Sequence, residues 1–211
     1  MLQDLTVKDF IKELSSSSPA PGGGSAAAIA ASLGCALGSM VFNLTVGKKA
    51  YNEYEEDIKD KILKALGETD LYKAEFLDLM EKDASEFLEL MAAFKLPKDT
   101  DEEKALREEK INEGYLKALQ IPFNVAEKAF GLYKYVEIAA MYGNKNAISD
   151  AGVAALLLQT AIEGAVLNVK INLSSIKDED YKIQISEKCK KFIEEGLVKK
   201  ISIMEIVESK L

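Results

Sequence analysis

The sequence predicts an all-α fold, an antiparallel bundle of about seven helices with two small-residue apolar helices at its centre. Apolar residues recur at helical spacing along nearly the whole chain, and strand-like alternation persists nowhere. Short segments rich in Gly, Pro, Ser and Asn separate these helical stretches. Because apolar residues form 48% of the chain, a sizeable core is expected, and we treat residues 1–211 as a single domain.

The N-terminal part of the chain is expected to form three helices. A short amphipathic helix spans Thr6–Leu14, where Thr6 and Asp9 are placed for a capping box. Ser15–Gly24 has the composition of a loop, and a helix of small residues follows it to about Lys49. A charged helix then runs from about Glu55 to Phe94.

The next helix carries clear signals at its beginning, middle and end. Thr100 and Glu103 fit a capping box at its start. Pro122 should kink or divide it, because proline has no backbone N–H to donate. The second part should run to Tyr142 and end with Gly143 as the C′ residue.

A second apolar helix is predicted from Ala151 to about Asn172, with Ser149 and Asp150 placed to cap it. A final amphipathic helix follows Asp178. The first apolar helix lies within a stretch that has no charged residue from Ser15 to Gly47. Since Ala, Gly and Ser dominate there instead of Leu, Ile and Phe, we expect a buried bundle helix and no membrane span.

Composition and charge exclude several classes of function. A net charge of −8, without a basic stripe, argues against nucleic acid as a partner. The absence of histidine excludes Ser-His-Asp and Cys-His catalysis and His-ligated zinc. Cys35 and Cys189 have no paired spacing, and the N-terminus has no secretory apolar region. We therefore expect a cytoplasmic protein with reduced thiols.

Asp83 is the most informative single residue. It lies on the apolar stripe of the charged helix, three residues after Met80 and four before Phe87. Burial of a carboxylate raises its pKa towards neutrality, which suits a general acid or base. The alternative is a boundary aspartate that pairs with a lysine or caps a neighbouring helix.

Two glycine-containing segments could also contact a ligand. Pro19–Ser25 presents three consecutive glycines before a helix, whose free N–H groups favour an anion or a carbonyl. Gly143–Asp150 combines amide, hydroxyl and carboxylate groups that could bind a heterocycle. Lys48 could bind an anion or only complement a helix dipole, and Asn168 in an apolar helix needs a polar partner. A tight turn and ordinary helix capping are the structural alternatives for the two segments.

Together these segments resemble the cyclodeaminase/cyclohydrolase family, which includes the cyclodeaminase part of formiminotransferase-cyclodeaminase and stand-alone methenyltetrahydrofolate cyclohydrolases. The resemblance covers essentially the whole chain, and the pairing of PGGGS with a later GNKNAISDAG block is its most specific feature. The matching segments are Pro19–Ser25, Leu44–Tyr51, Glu81–Phe87, Leu96–Pro97, Ile121–Pro122, Gly143–Val153 and Asn168–Leu173.

The resemblance implies an all-α homodimer with a folate pocket lined by those segments. The activity expected first is formation of 5,10-methenyltetrahydrofolate and ammonia from 5-formiminotetrahydrofolate, and the alternative is a methenyltetrahydrofolate cyclohydrolase. No formiminotransferase domain accompanies this chain, so both substrates stay open. Neither route requires a metal or a redox cofactor.

The family chemistry requires a base for the attacking N–H or O–H and an acid for the departing nitrogen. Asp83 is the first candidate for this work and Asp150 the second. Lys48, Lys145 and the glycine loop are expected to hold the anionic glutamate tail. The predicted substrate-contacting residues are Pro21, Gly22, Gly23, Gly24, Ser25, Lys48, Asn144, Lys145, Asn146, Ser149 and Asn168.

The rival hypothesis is a non-catalytic helical dimer that binds folate or serves in assembly. A single cleft holding Asp83, Asn144 and Asp150 would favour the enzyme, and separation of these three residues would weaken it.

Overall fold

The computed structural model describes the whole chain, Met1 to Leu211, and contains helices and loops without any strand. Short 3₁₀ turns at Leu2–Asp4 and Lys145–Ala147 accompany seven α-helices. These are α1 (Val7–Leu14), α2 (Gly23–Asn43), α3 (Lys49–Asn52), α4 (Glu56–Ala93), α5 (Asp101–Tyr142), α6 (Ile148–Leu173) and α7 (Glu179–Glu208). The predicted all-α fold is confirmed.

Three helix starts follow directly from local capping. Thr6 caps α1 by accepting the N–H of Asp9 at 3.1 Å, and its hydroxyl donates to the Asp9 carboxylate at 2.6 Å. Thr100 and Glu103 form the expected reciprocal capping box on α5. Asp178 accepts the N–H of Tyr181 at 2.9 Å and so caps α7. The side chain and its target lie within three residues in each case, so the sequence is sufficient to predict them.

The bounds of α2 differ from the prediction at both ends. The helix begins at Gly23, so Gly23 and Gly24 form its first turn and do not belong to the preceding loop. It ends at Asn43 rather than near Lys49, and a turn separates it from the short α3. The glycines are helical because their backbone packs closely against other helices, and local propensity does not report such packing.

Pro122 does not divide α5, which contradicts one of the two predicted outcomes. The helix is continuous from Asp101 to Tyr142. Proline leaves the carbonyl of Ala118, four residues earlier, without its helical donor. The side chain of Asn172 on α6 supplies one, because its Nδ2 donates to the Ala118 oxygen at 2.9 Å. A tertiary hydrogen bond thus replaces the missing helical one.

The segment between α5 and α6 also departs from expectation. Gly143 follows α5, but its backbone is extended (φ −70°, ψ 170°) and not left-handed. A Cβ at Gly143 would lie 2.3 Å from the Ala139 oxygen and 2.4 Å from Val41, so close approach is the reason for glycine. Ser149 and Asp150 lie inside the first turn of α6 and do not cap it, since the cap position is Ala147.

The two apolar helices pack against each other in an antiparallel bundle, as predicted, but the other helices do not surround them on every side. α2 packs against α4 on one side and α6 on the other, and α5 packs behind them. α7 completes the bundle by packing against α6 and α5. Contacts of Gly34 with Leu158 and of Gly164 with Ala27 show that α2 and α6 run in opposite directions.

One face of the α2–α6 pair has no covering helix. Both segments are apolar and long enough to cross a membrane, and 61% of the α2 window and 56% of the α6 window are buried in the bundle. The remaining positions form an exposed apolar face, which we call the α2–α6 face. It consists of Leu33 and Met40 on α2 and of Val153, Leu156, Leu167 and Ile171 on α6.

Candidate active site

Asp83 lines a cavity of about 210 Å³, which we call the Asp83 cavity. Three helices meet there: the N-terminus of α2, the C-terminal third of α4 and the C-terminal end of α6. A single α5 residue, Ala118, completes the wall. The lining residues are Pro19, Ala20, Gly22, Gly23, Gly24, Asp83, Phe87, Ala118, Asn168, Ile171 and Asn172.

The Asp83 carboxylate lies directly against the first turn of α2. Ser25, fully buried, donates its hydroxyl hydrogen to Asp83 Oδ2 at 2.9 Å. A Cβ at Gly24 would lie 2.1 Å from Asp83 Oδ1, so only glycine permits this approach. A carboxylate at a helix N-terminus also benefits from the helix dipole. Asp83 therefore holds the end of a neighbouring helix and lines a cavity at the same time.

Burial raises the pKa of Asp83 above its usual range, while hydrogen bonds from the Ser25 hydroxyl and backbone N–H lower it in part. The net shift is upward, as the position on the apolar stripe predicts. A carboxyl group of this kind exchanges a proton more readily near neutrality than an exposed aspartate does.

Two asparagine side chains from α6 add hydrogen-bond acceptors to the wall. Asn168 Nδ2 donates to the Gly164 oxygen at 2.9 Å, and Asn172 Nδ2 donates to the oxygens of Ala118 and Asn168. Because these bonds hold the amide nitrogens, each side chain keeps its Oδ1 free to accept. The cavity is thus suited to a ligand that offers N–H or O–H donors.

A second cavity, of about 360 Å³, lies beyond the other end of α2. We call it the lysine cavity, because Lys48, Lys145 and Lys210 line it together with tyrosine and amide side chains. Its remaining lining residues are Leu44, Thr45, Ala50, Tyr51, Tyr54, Met141, Tyr142, Gly143, Asn144 and Asn146. Three cations beside polar side chains suit an anionic group.

Asn144 connects the segments that form the lysine cavity through three hydrogen bonds. Its backbone N–H donates to Thr45 at 2.8 Å and its Nδ2 to the Leu44 oxygen at 2.9 Å, while its Oδ1 accepts the Asn146 N–H at 3.0 Å. These bonds fix the turn after α5 against the end of α2. The Asn144 amide therefore has a structural role in addition to lining the cavity.

Lys210 reaches the lysine cavity from the C-terminal end of the chain and contacts α5. Its ammonium donates to the carbonyls of Ala140 and Met141, both at 2.7 Å, at the end of α5. Burial, and then repulsion from Lys145, lowers the pKa of Lys210. An anion bound in the lysine cavity would reduce this repulsion.

The structure distributes the predicted site residues over separate places. Gly22, Gly23, Gly24 and Asn168 join Asp83, whereas Lys48, Asn144, Lys145 and Asn146 line the lysine cavity. Pro21 lines a shallow depression beside the N-terminus. Ser25 contacts Asp83 and is buried, while Ser149 and Asp150 line neither of the two cavities.

The two cavities are separated by the length of α2, about 30 Å for a helix of 21 residues. Asp83, Asn144 and Asp150 therefore do not meet within one chain. This separation counts against a complete site inside a single protomer.

Several residues of these cavities were not predicted from the sequence. Asn172 and Phe87 belong to the Asp83 cavity, and Tyr51, Tyr54 and Lys210 to the lysine cavity. A signal existed for Asn172, because it is a polar residue one turn after Asn168 in an apolar helix. No local signal existed for Lys210, which reaches its cavity because α7 packs beside α5 and α6.

Comparisons with known proteins agree in family and fold. Residues 6–191 match the family model of formiminotransferase-cyclodeaminase. The chain is 38% identical over 206 residues to a methenyltetrahydrofolate cyclohydrolase from Methylorubrum extorquens, covering 98% of this chain and 97% of that protein. It is 31% identical to the rat formimidoyltransferase-cyclodeaminase over 99% of this chain, but it spans only 38% of that longer protein.

A solved structure extends the agreement to three dimensions. The crystal structure of a formiminotetrahydrofolate cyclodeaminase from Thermotoga maritima superposes with a TM-score of 0.78 and 26% identity, covering 100% of this chain and 98% of that one. The range matched by the family model, residues 6–191, includes the glycine segment, Asp83 and the Asn144 turn. The chain therefore belongs to the formiminotransferase-cyclodeaminase family of folate one-carbon enzymes.

Proposed function

We propose that the protein is a methenyltetrahydrofolate cyclohydrolase, which adds water to the bridging methenyl carbon and opens one C–N bond to give 10-formyltetrahydrofolate. The observation that carries the proposal is a partly buried carboxylate, Asp83, in a cavity whose other polar side chains are neutral. The named function of the Methylorubrum extorquens relative, which matches this chain over nearly its full length, supports the choice of substrate.

In this proposal Asp83 performs two tasks on the substrate. Its ionised carboxylate faces the cationic methenyl group and stabilises the positive charge before attack. It then accepts a proton from the attacking water and passes that proton to the nitrogen that leaves the tetrahedral carbon. The remaining hydroxyl proton is released to solvent as the formyl C=O bond forms. The raised pKa of Asp83 suits both directions of transfer. The chain's own residues accomplish these steps, and the proposal includes no metal or redox cofactor.

The heterocycle is proposed to lie against the acceptor-rich wall of the Asp83 cavity. Asn168 and Asn172 present amide oxygens, and the N–H groups at the start of α2 other than that of Ser25 remain available for a carbonyl. A reduced pterin ring carries both N–H donors and a carbonyl, so it complements this wall.

Cyclodeamination of 5-formiminotetrahydrofolate is the second candidate function. The fold match to the Thermotoga maritima cyclodeaminase over the whole chain favours it. In that reaction N10 attacks the formimino carbon, and ammonia leaves after Asp83 has moved a proton to it. Both reactions use a carboxylate at an amidine-like carbon.

We further propose that the protein acts as a homodimer through the α2–α6 face. This face is apolar and uncovered, and the two cavities lie at its opposite ends, with Ile171 lining one and Leu44 the other. A two-fold axis across the helices would place each Asp83 cavity beside the lysine cavity of the partner. That arrangement keeps the two lysine cavities apart, and it would let the cations receive the anionic glutamate tail of a bound folate.

We also propose that the protein is cytoplasmic and that its small-molecule partner is a folate. The proposal includes neither nucleic acid nor a membrane as a partner. A net charge of −8 supports the exclusion of nucleic acid. More than half of each long apolar helix window is buried in the bundle, which supports a core role for both helices.

The decisive experiment incubates the purified protein separately with methenyl- and formiminotetrahydrofolate. Loss of the methenyl absorbance above its spontaneous rate is expected for a cyclohydrolase. Appearance of that absorbance with equimolar ammonia would instead establish the cyclodeaminase. If neither signal exceeds the buffer control, the enzyme proposal is wrong and a non-catalytic folate-binding dimer takes its place.

A further inference from the structure

Three serines on α2 donate hydrogen bonds to residues of the neighbouring helix α4. Ser25, Ser32 and Ser39 recur every seven residues, so they lie on one face of the helix. All three are buried. Ser32 donates to the Lys73 backbone oxygen and Ser39 to the Thr69 hydroxyl, each at 2.9 Å. These two bonds hold the helices together and have no contact with either cavity.

Ser25 differs from the other two serines in the group that it holds. Its hydroxyl donates to a carboxylate, Asp83 Oδ2, at 2.9 Å, and that carboxylate lines a cavity. The Met80 backbone oxygen lies at a longer distance of 3.4 Å from the same hydroxyl. The stronger interaction is the one with the carboxylate, since bonds to ionised acceptors exceed those to neutral ones.

We infer that Ser25 is a positioning residue for Asp83, which fixes one carboxylate oxygen so that the other faces the reacting carbon of the substrate. The inference rests on the proposed function, because it assigns Asp83 to the chemistry. Gly24 also contributes to the position of Asp83, because the absence of a side chain lets the carboxylate reach the first turn of α2. Ser25 is not a substrate-contacting residue, because it is completely buried.

The surroundings of Asp83 leave Ser25 as its main polar partner. Asp83 is the only titratable side chain that lines the cavity. Nearby charged groups lie outside the lining: Glu86 one turn along α4, Lys117 on α5, which pairs with Glu86 at 3.7 Å, and Lys170 on α6, next to Ile171. The pKa of Asp83 is raised by burial and lowered only by Ser25. Removing the hydroxyl should therefore raise the pKa further.

The test compares Ser25→Ala and Ser25→Cys with Ser32→Ala in the full-length protein. Cysteine keeps the size of the side chain but is a weak donor, so it separates the hydrogen bond from packing. Ser32→Ala is the matched control, because it removes another buried hydroxyl bond between the same helices. The first readout is the Asp83 pKa by carbon NMR of labelled carboxyl groups, assigned by the signal that Asp83→Asn lacks. The second is the pH profile of turnover.

Both Ser25 variants are expected to raise the Asp83 pKa and to move the corresponding limb of the kcat profile to higher pH. We expect kcat at neutral pH to fall about 10-fold with KM nearly unchanged, since misplaced catalytic groups cost rate more than binding. Ser32→Ala should lower the melting temperature without moving the pKa or the profile. An unchanged Asp83 pKa in Ser25→Ala, or an equal shift in Ser32→Ala, would overturn the inference.

The two proposals can fail separately. If Asp83→Asn keeps wild-type turnover, Asp83 is not catalytic and both the mechanism and the role of Ser25 are wrong. If Asp83→Asn is inactive while the Ser25 variants leave both readouts unchanged, the mechanism stands and only the role of Ser25 is wrong.

Discussion

At the residue scale, the two interpretations of Asp83 prove to be compatible. Its carboxylate holds the first turn of α2 through Ser25, which corresponds to the structural alternative. The same carboxylate lines a cavity and has a raised pKa, which corresponds to the functional one. A group fixed by one oxygen is better prepared to act with the other, because its orientation does not need to be found at each turnover.

Asp83→Asn should lower turnover by about 10²-fold or more, the usual contribution of a positioned acid or base. The same substitution should raise stability at neutral pH. Because the pKa of Asp83 is higher in the folded state, its stabilising contribution is present at low pH and is lost as pH rises through the folded pKa. Turnover and urea unfolding between pH 3 and pH 8 measure both effects, with ~3.9 as the unfolded reference pKa.

The stability gain of Asp83→Asn should therefore grow from acidic to neutral pH and be small where wild-type Asp83 is protonated. An equal gain in unfolding free energy at acidic and at neutral pH would contradict the argument that burial raises the pKa of Asp83. A folded variant with wild-type turnover would contradict the catalytic assignment.

At the scale of the helix, α5 shows how a tertiary contact overrides a local rule. Pro122 removes one backbone hydrogen bond, and Ala118, whose oxygen is released, is a buried residue with 7% exposure. An unsatisfied buried carbonyl would cost about 1–3 kcal/mol, so a donor is required. Asn172 supplies it and, from the same position, lines the Asp83 cavity.

A double-mutant cycle tests this compensation. Asn172→Ala alone should destabilise the protein by about 1–2 kcal/mol, because the Ala118 oxygen loses its donor. In a Pro122→Ala background, the restored backbone N–H can donate to the Ala118 oxygen. Asn172→Ala should then lower the unfolding free energy by about 1 kcal/mol less. Urea unfolding of the four proteins gives the coupling. Strictly additive effects would show that the two residues act independently.

At the scale of the whole molecule, the α2–α6 face and the two cavities form one pattern. The helix α2 has no charged residue between Gly23 and Asn43, yet Leu33 is 51% exposed near its middle. The Asp83 cavity and the lysine cavity lie at the two ends of α2. A two-fold dimer with shared sites requires an uncovered apolar face that lies between two cavities, each of which supplies half of a site.

Leu33→Glu should therefore produce a folded monomer, because the introduced charges would face each other or an apolar surface without a partner. Light scattering at micromolar concentration and circular dichroism check the oligomeric state and the fold. The matched control is Leu71→Glu, since Leu71 is 63% exposed on α4 and away from this face. We expect Leu71→Glu to remain dimeric.

Activity should follow the oligomeric state in this comparison. If the two half-sites combine across the interface, Leu33→Glu should bind folate weakly even though both cavities are distant from the substitution. A wild-type monomer, or a fully active monomeric Leu33→Glu, would contradict the shared site.

Local signals were sufficient for the fold class, for most helices and for the caps predicted at Thr6 and Thr100. Thr6, Thr100 and Asp178 act on atoms three residues away, so their effect is present in the sequence itself. The stripe around Asp83 also predicts its burial and the direction of its pKa shift, because helical periodicity alone places it between Met80 and Phe87. These properties depend on neighbours along one helix.

Only the tertiary structure decided which residues meet. It placed Gly24 against Asp83, joined Asn172 to the carbonyl released by Pro122, and separated Asn144 from the Asp83 cavity by the length of α2. Each of these outcomes depends on contacts between helices far apart in the chain. The sequence alone determines most of the helices and their apolar faces. The packing of those faces determines the site, because close approach and hydrogen-bond partners exist only after packing.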